Sequence, residues 1–492
     1  MGREEEMINE RKKKLDELRK HGINPYPYKF EQKDFSLDLK EAGKKLKNDE
    51  RTKQHAQVAG RIMTIRDIGK LIFANLQDSK GQIQLIFQKD KHEKSFELFK
   101  KYVDTGDIIG ASGIIMKTRT GEVSVFVKDI KILSKSLLPL PEKWHGLTDK
   151  EERYRKRYLD LIMNPEVKKV FEIRGKIIDC VRNLLKQQNF TEVETPILQS
   201  IYGGASAKPF KTHLNALDID LYLAISPELY LKRLVVGGID RVFTICKNFR
   251  NEGIDAFHNP EFTMMEYYAA YKNYEFHMEF TEKLFSELKK ALGLKDSINY
   301  QGKEINLKLP FKRVKFRDLL LKETGIDIDK TNSFESLKNE IIKKNLKDVE
   351  IRHCKHYGAL LDELYKRVIR PKIIQPTFLT NYPVEMIALA KRNEKNPRYI
   401  NSVQLLIDGA EIMKAYDELN DPFDQEERLQ EQAKLLKQGD TEAMPYDEDF
   451  INALKTGLPP TAGYGLGIDR MIMLLTNSPS IRDVILFPFM RP

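Results

Sequence analysis

Apolar positions change their spacing near residue 150, and this change divides the sequence into two regions. From about residue 55, runs such as QVAGRIMTIRDIG, KLIFANLQDS and GQIQLIFQKD are short, rich in β-branched residues and separated by Gly-containing or polar turns. Five runs of this kind in about 80 residues are typical of a small closed β-barrel. The first region is therefore predicted to be a barrel over residues 51–138.

The second region begins with a helical pattern. After Pro165, apolar residues recur at spacings of three and four through PEVKKVFEIRGKIIDCVRNLLKQQNF, which predicts a long amphipathic helix. The next segment, TEVETPIL, has the composition of a strand but contains Pro196, so we expect it at a sheet edge or a chain–chain boundary. Several strands and a Gly-rich turn before MIMLLTN follow. We expect an α+β domain over residues 161–492, with a helical insertion near 275–370.

Two further segments carry few apolar positions. Residues 4–20 form a highly charged helical pattern that ends at His21 and Gly22. We expect this helix to be an exposed appendage within a charged, helical N-terminal extension over residues 1–50; an arm that binds a polyanion is the alternative. The Pro-rich stretch LLPLPEKW, residues 137–144, leads into a predicted linker over residues 139–160.

Composition narrows the class of protein. The 492 residues are 41% hydrophobic and 32% charged with a formal net charge of +10, which is typical of a soluble globular protein and permits a polyanionic partner. The three cysteines form no C-x-x-C pair, so neither a disulfide framework nor a cysteine-type zinc site is expected. The charged N-terminus is unlike a secretory signal, and no apolar run approaches the roughly 20 residues of a membrane span. We therefore expect a cytoplasmic protein that uses no zinc and contacts no membrane.

The segment KNFRNEGIDAFHNPEFTMMEYY, residues 247–268, concentrates charged and aromatic residues around a Pro-marked turn. Both flanking runs suit antiparallel strands, and side chains alternate along a strand. One face of the second strand would then carry Phe262, Met264, Glu266 and Tyr268, while Arg250 and Glu252 would share a face of the first strand. His258 lies at the turn. An arginine fork suits phosphate and an aromatic ring suits a purine, so we interpret this composite as a nucleoside triphosphate site whose other end accepts a cation. A stabilised surface hairpin is the alternative.

A second candidate element lies near the C-terminus, in GYGLGIDRMIMLL, residues 463–475. A helix is expected to start near Asp469, which places Arg470 in its first turn. The helix dipole disfavours a cation there, so a bound anion would explain the position. The chain contains no Walker motif and no G-x-G-x-x-G followed by a βαβ unit, so a nucleotide would have to bind on another architecture.

These segments resemble the class II aminoacyl-tRNA synthetases, and among them the lysyl-tRNA synthetases. The resemblance runs from about residue 55 to the end and includes motif 1 (the helix plus TEVETPIL), motif 2 (FRNEGIDAFHNPEFTMMEYY) and motif 3 (GYGLGIDRMIML). GGASAKPFKTHLNALD and ISPELYLKRLVVGGIDRVF resemble the lysine enzymes more than their aspartate and asparagine relatives.

The resemblance implies a fold, an activity and partners. It implies an OB-fold that binds the anticodon, followed by an antiparallel sheet flanked by helices, and a homodimer formed through motif 1. The implied activity is ligation of L-lysine to tRNA(Lys) through a lysyl-adenylate, with ATP as co-substrate and Mg²⁺ as cofactor. In-line attack on the α-phosphorus would need no covalent nucleophile.

It also implies roles for individual residues. Arg250 and Arg470 would be the catalytic cations. The residues implied in ATP binding are Arg250, Glu252, His258, Phe262, Glu411 and Arg470. Those implied in lysine binding are Gly204, Glu228, Arg250, Glu266, Tyr268, Lys414 and Glu418. Anticodon binding is implied for Arg66, Phe73 and Gln84, and metal binding for Glu411, with Gln404 and Glu418 as further candidates.

Two of the implied site residues depart from the family pattern. Gln404 stands where a second metal-binding glutamate is usual, and an amide is a poorer Mg²⁺ ligand than a carboxylate. Lys414 stands where asparagine is usual, and it either pairs with the substrate carboxylate or points to solvent. Two other functions stay open: a related synthetase for an acidic or amide amino acid, which Glu266 and Glu418 oppose, and a synthetase-like RNA-binding protein without catalysis.

Overall fold

The computed structural model describes residues 2–141 and 147–491. The chain divides into two compact units, residues 1–148 and 149–492. Part of the expected linker, residues 142–146, lies outside the described residues.

The first unit is built on a closed barrel with strand order β1-β2-β3-β5-β4. Its strands are β1 (Arg51–Ile68), β2 (Leu71–Gln77), β3 (Gln82–Gln88), β4 (Ile108–Lys117) and β5 (Val123–Ser134). All neighbouring pairs are antiparallel except β3 and β5, which run parallel and close the barrel. The prediction of a small closed barrel from five short strands is therefore confirmed.

Helices pack on the barrel: α1 (Arg3–Lys20), α2 (Ser36–Gly43) and α3 (Glu93–Tyr102). Leu18 of α1 is fully buried in the core of the barrel unit, and Leu15 is nearly so. The guanidinium of Arg11 is also buried and donates hydrogen bonds of 2.8–3.0 Å to the carbonyl oxygens of Thr105, Ser136 and Leu138. The expectation of an exposed appendage is wrong for α1, because one side of this charged helix is packed.

The second unit contains an eight-stranded sheet with the order β14-β15-β16-β17-β18-β11-β10-β6. Its strands are β6 (Thr191–Glu192), β10 (Arg241–Phe249), β11 (Glu261–Ala270), β14 (Lys312–Lys315), β15 (Thr377–Thr380), β16 (Ser402–Ile407), β17 (Ala410–Asp417) and β18 (Thr461–Gly467). Only the outer pairs β6–β10 and β14–β15 are parallel. The smaller sheets contain β7 (Leu198–Gln199), β8 (Lys211–Leu214), β9 (Ile219–Leu223), β12 (Ser297–Tyr300) and β13 (Lys303–Asn306).

The helices of this unit are α4 (Lys150–Arg155), α5 (Arg157–Met163), α6 (Pro165–Gln187), α7 (Glu228–Val236), α8 (Tyr274–Leu292), α9 (Phe316–Thr324), α10 (Phe334–Lys343), α11 (Tyr357–Leu364), α12 (Pro422–Lys437), α13 (Glu448–Gly457) and α14 (Ile468–Leu475). The long helix after Pro165 and the edge position of β6 agree with the sequence pattern. The expected linker is helical from Lys150 onward. The stretch near 275–370 is also not purely helical, because it contains the β12–β13 hairpin and β14, which extends the main sheet.

One face of the main sheet packs against α6, α8 and α14. The opposite face is polar in its central part and joins two other apolar cores, through Val242 and Ala270 on one side and Leu379 and Leu406 on the other. The packed face includes Met265 and Tyr267 of β11 and Tyr464 and Leu466 of β18, all buried in one core. Since side chains alternate along a strand, the residues between them face the opposite side. That side holds the candidate site.

Candidate active site

A cavity of about 590 Å³ opens on the polar face of the sheet. Phe262, Met264, Glu266 and Tyr268 of β11 line it, whereas Met265, Tyr267 and Ala269 lie in the core. This arrangement is the shared face that alternation predicts for β11. At about 3.4 Å per residue, the four positions extend over roughly 20 Å, which is enough for two ligands placed end to end.

Arg250 and Glu252 reach the same cavity from a loop. Strand β10 ends at Phe249, so both residues lie beyond the strand, in the connection to β11. The expectation that they share a strand face is therefore wrong, because the regular pairing stops at Phe249, before either residue. The backbone N–H of Arg250 donates to the carbonyl of Pro260 at 2.9 Å and holds the ends of this loop together.

The Arg250 guanidinium contacts an aromatic ring and a backbone carbonyl. It lies 5.0 Å from the centroid of the Phe262 ring and donates weakly, at 3.4 Å, to the carbonyl of Ile225. Within the described part of the chain it forms no ion pair with a carboxylate. Burial lowers the pKa of Arg250, and the carboxylates of Glu252 and Glu266 oppose that effect. An arginine stays cationic at neutral pH, so this site is prepared for an anion.

Arg470 approaches from α14, which starts one residue before the expected position. Its guanidinium donates to the backbone carbonyl of Glu411 at 3.1 Å and to Nε2 of His258 at 3.2 Å. His258 is oriented in turn, because its Nδ1 donates to the Asp255 carboxylate at 2.8 Å. Arg470 lies in the first turn of α14. An anion there would be attracted both by the guanidinium and by the positive end of the helix dipole.

The other end of β11 is acidic. The Glu266 side chain accepts hydrogen bonds from Ser226 Oγ at 3.0 Å and from the Tyr268 hydroxyl at 3.4 Å. Burial and the neighbouring carboxylate of Glu228 raise the pKa of Glu266 to about 8. Gly204 faces this region with a φ of +85°, and a Cβ there would lie 2.8 Å from Cβ of Glu228. A glycine is therefore required where the backbone meets the acidic end.

Glu228 and Glu418 are held together by a lysine of the same chain. The ammonium of Lys232, which has no exposed surface, lies 2.7 Å from Glu228 Oε1 and forms an ion pair with Glu418. The Tyr416 hydroxyl adds a hydrogen bond of 2.9 Å to Glu228. Glu418 is itself buried and is not among the residues that line the cavity, so the expected end of the pocket differs from the one observed. The position also removes Glu418 from the metal candidates.

Sequence reasoning missed Lys232 and Tyr416. One signal was available for the lysine, since it follows Glu228 by four residues on a helix, where such side chains are neighbours. Its complete burial and its second partner depend on contacts between distant segments. Nothing in the local pattern marks them.

The residues considered for metal binding differ in chemistry. Glu411 lines the cavity and forms no ion pair within the described residues, so its carboxylate suits a Mg²⁺ ion that keeps its other ligands from phosphates and water. Gln404 differs, because its Oε1 accepts hydrogen bonds from Tyr382 at 2.7 Å and Tyr365 at 3.1 Å. Residues 2–141 and 147–491 contain no group of three or more His, Cys, Asp or Glu that could hold a metal by themselves. The side-chain oxygen of Gln404 is already occupied by two hydrogen bonds, so Gln404 does not fit the role of a metal ligand.

Family models match most of the chain. The model described as tRNA synthetases class II (D, K and N) covers residues 149–491, and that of the OB-fold nucleic acid binding domain covers residues 56–133. The chain belongs to the class II tRNA synthetases. The OB-fold expected from the resemblance is thereby confirmed for the barrel.

Relatives align with this class II synthetase over almost its whole length. A lysine–tRNA ligase of Pelotomaculum thermopropionicum is 49% identical over 100% of this chain and 96% of its own length. One of Fervidobacterium nodosum is 47% identical, over 98% of this chain and 93% of its own. The lysine–tRNA ligase 2 of Methanosarcina mazei is also 47% identical, over 97% and 93% respectively.

The OB-fold of this synthetase presents a small polar and aromatic surface. Arg66 of β1 pairs across the ladder with Phe73 of β2, and its guanidinium lies 5.1 Å from the Phe73 ring centroid. Gln84 of β3 lies on the same outward face and accepts a hydrogen bond of 3.0 Å from Ser124 Oγ. Phe73 packs at the edge of an apolar group outside the main barrel core, which leaves part of its ring available.

No helix in the described ranges has both the length and the apolar composition that a membrane crossing demands.

Proposed function

We propose that this class II synthetase is a lysine–tRNA ligase. It activates L-lysine with ATP to lysyl-adenylate and pyrophosphate, and then transfers the lysyl group to the 3′ end of tRNA(Lys) with release of AMP. The observation that carries this proposal is the charge distribution of one cavity, in which β11 runs from unpaired guanidiniums to a buried acidic end. The names and coverage of the relatives support the same substrate.

The acidic end favours lysine over aspartate or asparagine. Moving an ammonium out of water costs several kcal/mol unless carboxylates replace its hydration. Glu228 and Glu266 provide such groups, although Lys232 already neutralises part of their charge. An aspartate substrate would meet carboxylates at this end, where the described residues provide no cation that lacks an acidic partner.

The guanidinium end would bind the nucleotide. Phe262 would stack on the adenine and Glu252 would accept from its edge, while Arg250 would bridge the α-phosphate and the lysine carboxylate. Arg470 and His258 would hold the outer phosphates. As the lysine carboxylate attacks the α-phosphorus, a fixed Arg250 stabilises the charge that develops there without reorganisation.

Two side chains on β17 complete the proposed site. Lys414 lines the cavity without an acidic partner among the described residues, and we assign its ammonium to the substrate carboxylate. Glu411 would hold Mg²⁺, which when bound neutralises phosphate charge.

The remaining partners follow from exposed surfaces. Arg66, Phe73 and Gln84 would bind the anticodon by stacking and hydrogen bonding. A homodimer would cover the exposed apolar side chains around β7 and β9, namely Ile197, Leu198, Leu217 and Ile219. We place the protein in the cytoplasm, the compartment of translation.

Amino-acid-dependent exchange of pyrophosphate into ATP tests the proposal. We expect exchange with lysine and none with aspartate or asparagine; ornithine, one methylene shorter, measures how closely the ammonium must fit. Exchange with an acidic or amide amino acid instead would refute the pocket assignment. No exchange in folded protein that still binds tRNA would favour an RNA-binding protein without catalysis.

A further inference from the structure

Four cations face the candidate site without an acidic partner. Arg250, Arg370, Lys414 and Arg470 all line the cavity, and none forms an ion pair within the described residues. By contrast Lys366, which also lines it, is paired with Asp362 at 2.6 Å. Unpaired cations in a partly closed cavity repel one another, so their arrangement indicates an anion of high charge. The roles given above use three of them and leave Arg370 unexplained.

Arg370 is anchored beside the metal-binding candidate. Its Nε donates to the carbonyl of Gly409 at 3.1 Å, in the turn between β16 and β17, two residues before Glu411. Gly409 has a φ of +71°, and a Cβ there would lie 3.2 Å from the Arg370 carbonyl oxygen, so the two segments are tightly apposed. No described residue accepts a hydrogen bond from the terminal nitrogens of Arg370.

Arg370 and Arg470 are both anchored to the short segment at the turn between β16 and β17. Nε of Arg370 donates to the carbonyl of Gly409 at 3.1 Å, and the Arg470 guanidinium donates to the carbonyl of Glu411 at 3.1 Å. The two guanidiniums therefore approach one region of the cavity. Arg470 is the residue assigned to the outer phosphates, so Arg370 lies on the phosphate side.

The neighbouring position 404 is closed to a metal. The amide oxygen of Gln404 already accepts from Tyr382 and Tyr365, whose hydroxyls are also 3.1 Å apart. Burial raises the pKa of both tyrosines well above the ordinary value, so they stay neutral donors rather than anionic ligands. Lys414 is the direct cross-strand partner of Gln404 and brings a positive charge to the same place.

We propose that Arg370 contacts the terminal phosphates of ATP and supplies there the positive charge that a metal ion at position 404 would supply. A guanidinium can bind phosphate through two parallel hydrogen bonds. Arg370 would in this way provide the positive charge at the place where the neutral Gln404 holds no metal ion. This chain then holds one divalent cation fewer than a site with carboxylates at both 404 and 411. The inference rests on the proposed function only in taking ATP as the nucleotide.

The test measures binding of a non-hydrolysable ATP analogue and Mn²⁺, without lysine. Arg370→Gln is expected to weaken analogue binding by about 10- to 100-fold, the loss typical of a charge-assisted hydrogen bond. Arg370→Lys keeps the charge but not the fork, and a smaller loss is expected. Lys372→Gln, which changes a half-exposed lysine paired with Glu323, is the matched control and should bind as the unchanged chain does.

Electron paramagnetic resonance counts the Mn²⁺ ions bound with the analogue. The double variant Gln404→Glu, Arg370→Gln is expected to bind about one ion more than the unchanged chain, since it restores a carboxylate pair. Equal ion counts would overturn the proposal. So would analogue affinity that does not change in Arg370→Gln and Arg370→Lys, with thermal melting showing folded protein.

Failure of the proposed function gives a different result. A chain that binds the analogue through Arg370 but shows no lysine-dependent exchange would keep this inference and lose the ligase assignment. A chain that exchanges pyrophosphate with lysine while Arg370→Gln binds ATP normally would do the reverse.

Discussion

The ammonium of Lys232 lies 2.7 Å from a carboxylate oxygen of Glu228, with neither group open to bulk solvent. The same ammonium also neutralises Glu418, so two buried carboxylates share one internal cation. The acidic end of the cavity is therefore not simply a set of free carboxylates. Lys232 compensates part of its charge before a substrate ammonium arrives.

Removing that internal cation should destabilise the protein. Lys232→Met leaves Glu228 and Glu418 buried without a cationic partner, and breaking a buried ion pair in this way costs about 3–5 kcal/mol. The free energy of unfolding in urea measures the effect. Lys290→Met, which breaks an exposed helical pair with Glu287, should cost no more than about 1 kcal/mol. Equal stability of the two variants would show that Lys232 does not hold this site together.

Lysine binding should release a proton near neutral pH. With a pKa of about 8, Glu266 carries a proton in most molecules at pH 7, and burial is the main cause. A bound ammonium favours the carboxylate and lowers that pKa, so a proton leaves on binding. The release should disappear well above pH 8, where Glu266 is already ionised.

Calorimetry in buffers of different ionisation enthalpy measures this release. Glu266→Gln cannot lose the proton and should bind lysine weakly without the buffer dependence. A buffer-independent enthalpy in the unchanged chain would contradict the assignment of Glu266 to the substrate ammonium.

Substitution of Lys414 should weaken the binding of lysine more than the binding of ATP. If its ammonium pairs with the substrate carboxylate, Lys414→Ala raises the KM for lysine in pyrophosphate exchange by about tenfold, as expected for a charge-assisted contact. The KM for ATP should change less. Lys434→Ala, on the exposed side of α12, provides the comparison. Unchanged lysine affinity in Lys414→Ala would mean that this side chain only faces solvent.

The barrel surface should contribute to tRNA binding and not to amino acid activation. Phe73→Ala is expected to weaken tRNA binding by about 1–3 kcal/mol, the value of one base stacked on an aromatic ring. Lysine-dependent exchange without tRNA should stay normal. Tyr28→Ala, which removes a fully exposed aromatic from the same unit, should leave tRNA affinity unchanged. A filter-binding or fluorescence titration with tRNA measures the affinity of each variant.

The sequence was informative where local pattern decides the structure. Alternation along β11 predicted the face that carries Glu266 and Tyr268, because a strand with one buried side must keep a period of two. Extending that alternation into the preceding segment misplaced Arg250, since the end of β10 is set by hydrogen bonding and not by hydrophobicity.

The errors have a common cause in long-range packing. In α1, buried Leu15 and Leu18 are few among charged residues, so the pattern indicated a solvated helix. The tyrosines that bind Gln404 come from positions 365 and 382, and no short motif connects them. Such contacts between distant segments determine whether a polar residue is a ligand or is already satisfied.

The alternation of β11 also limits how this strand can change by mutation. Its even-numbered residues from 262 to 268 line the cavity, and Met265 and Tyr267 between them are core residues. A deletion of one residue within the strand would exchange the two sets, turning Glu266 away from the acidic end and toward the apolar core. The ten residues of β11 thus determine stability through one face of the strand and substrate choice through the other. A shift in register changes both properties together, whereas a substitution changes only the property of the face that carries it.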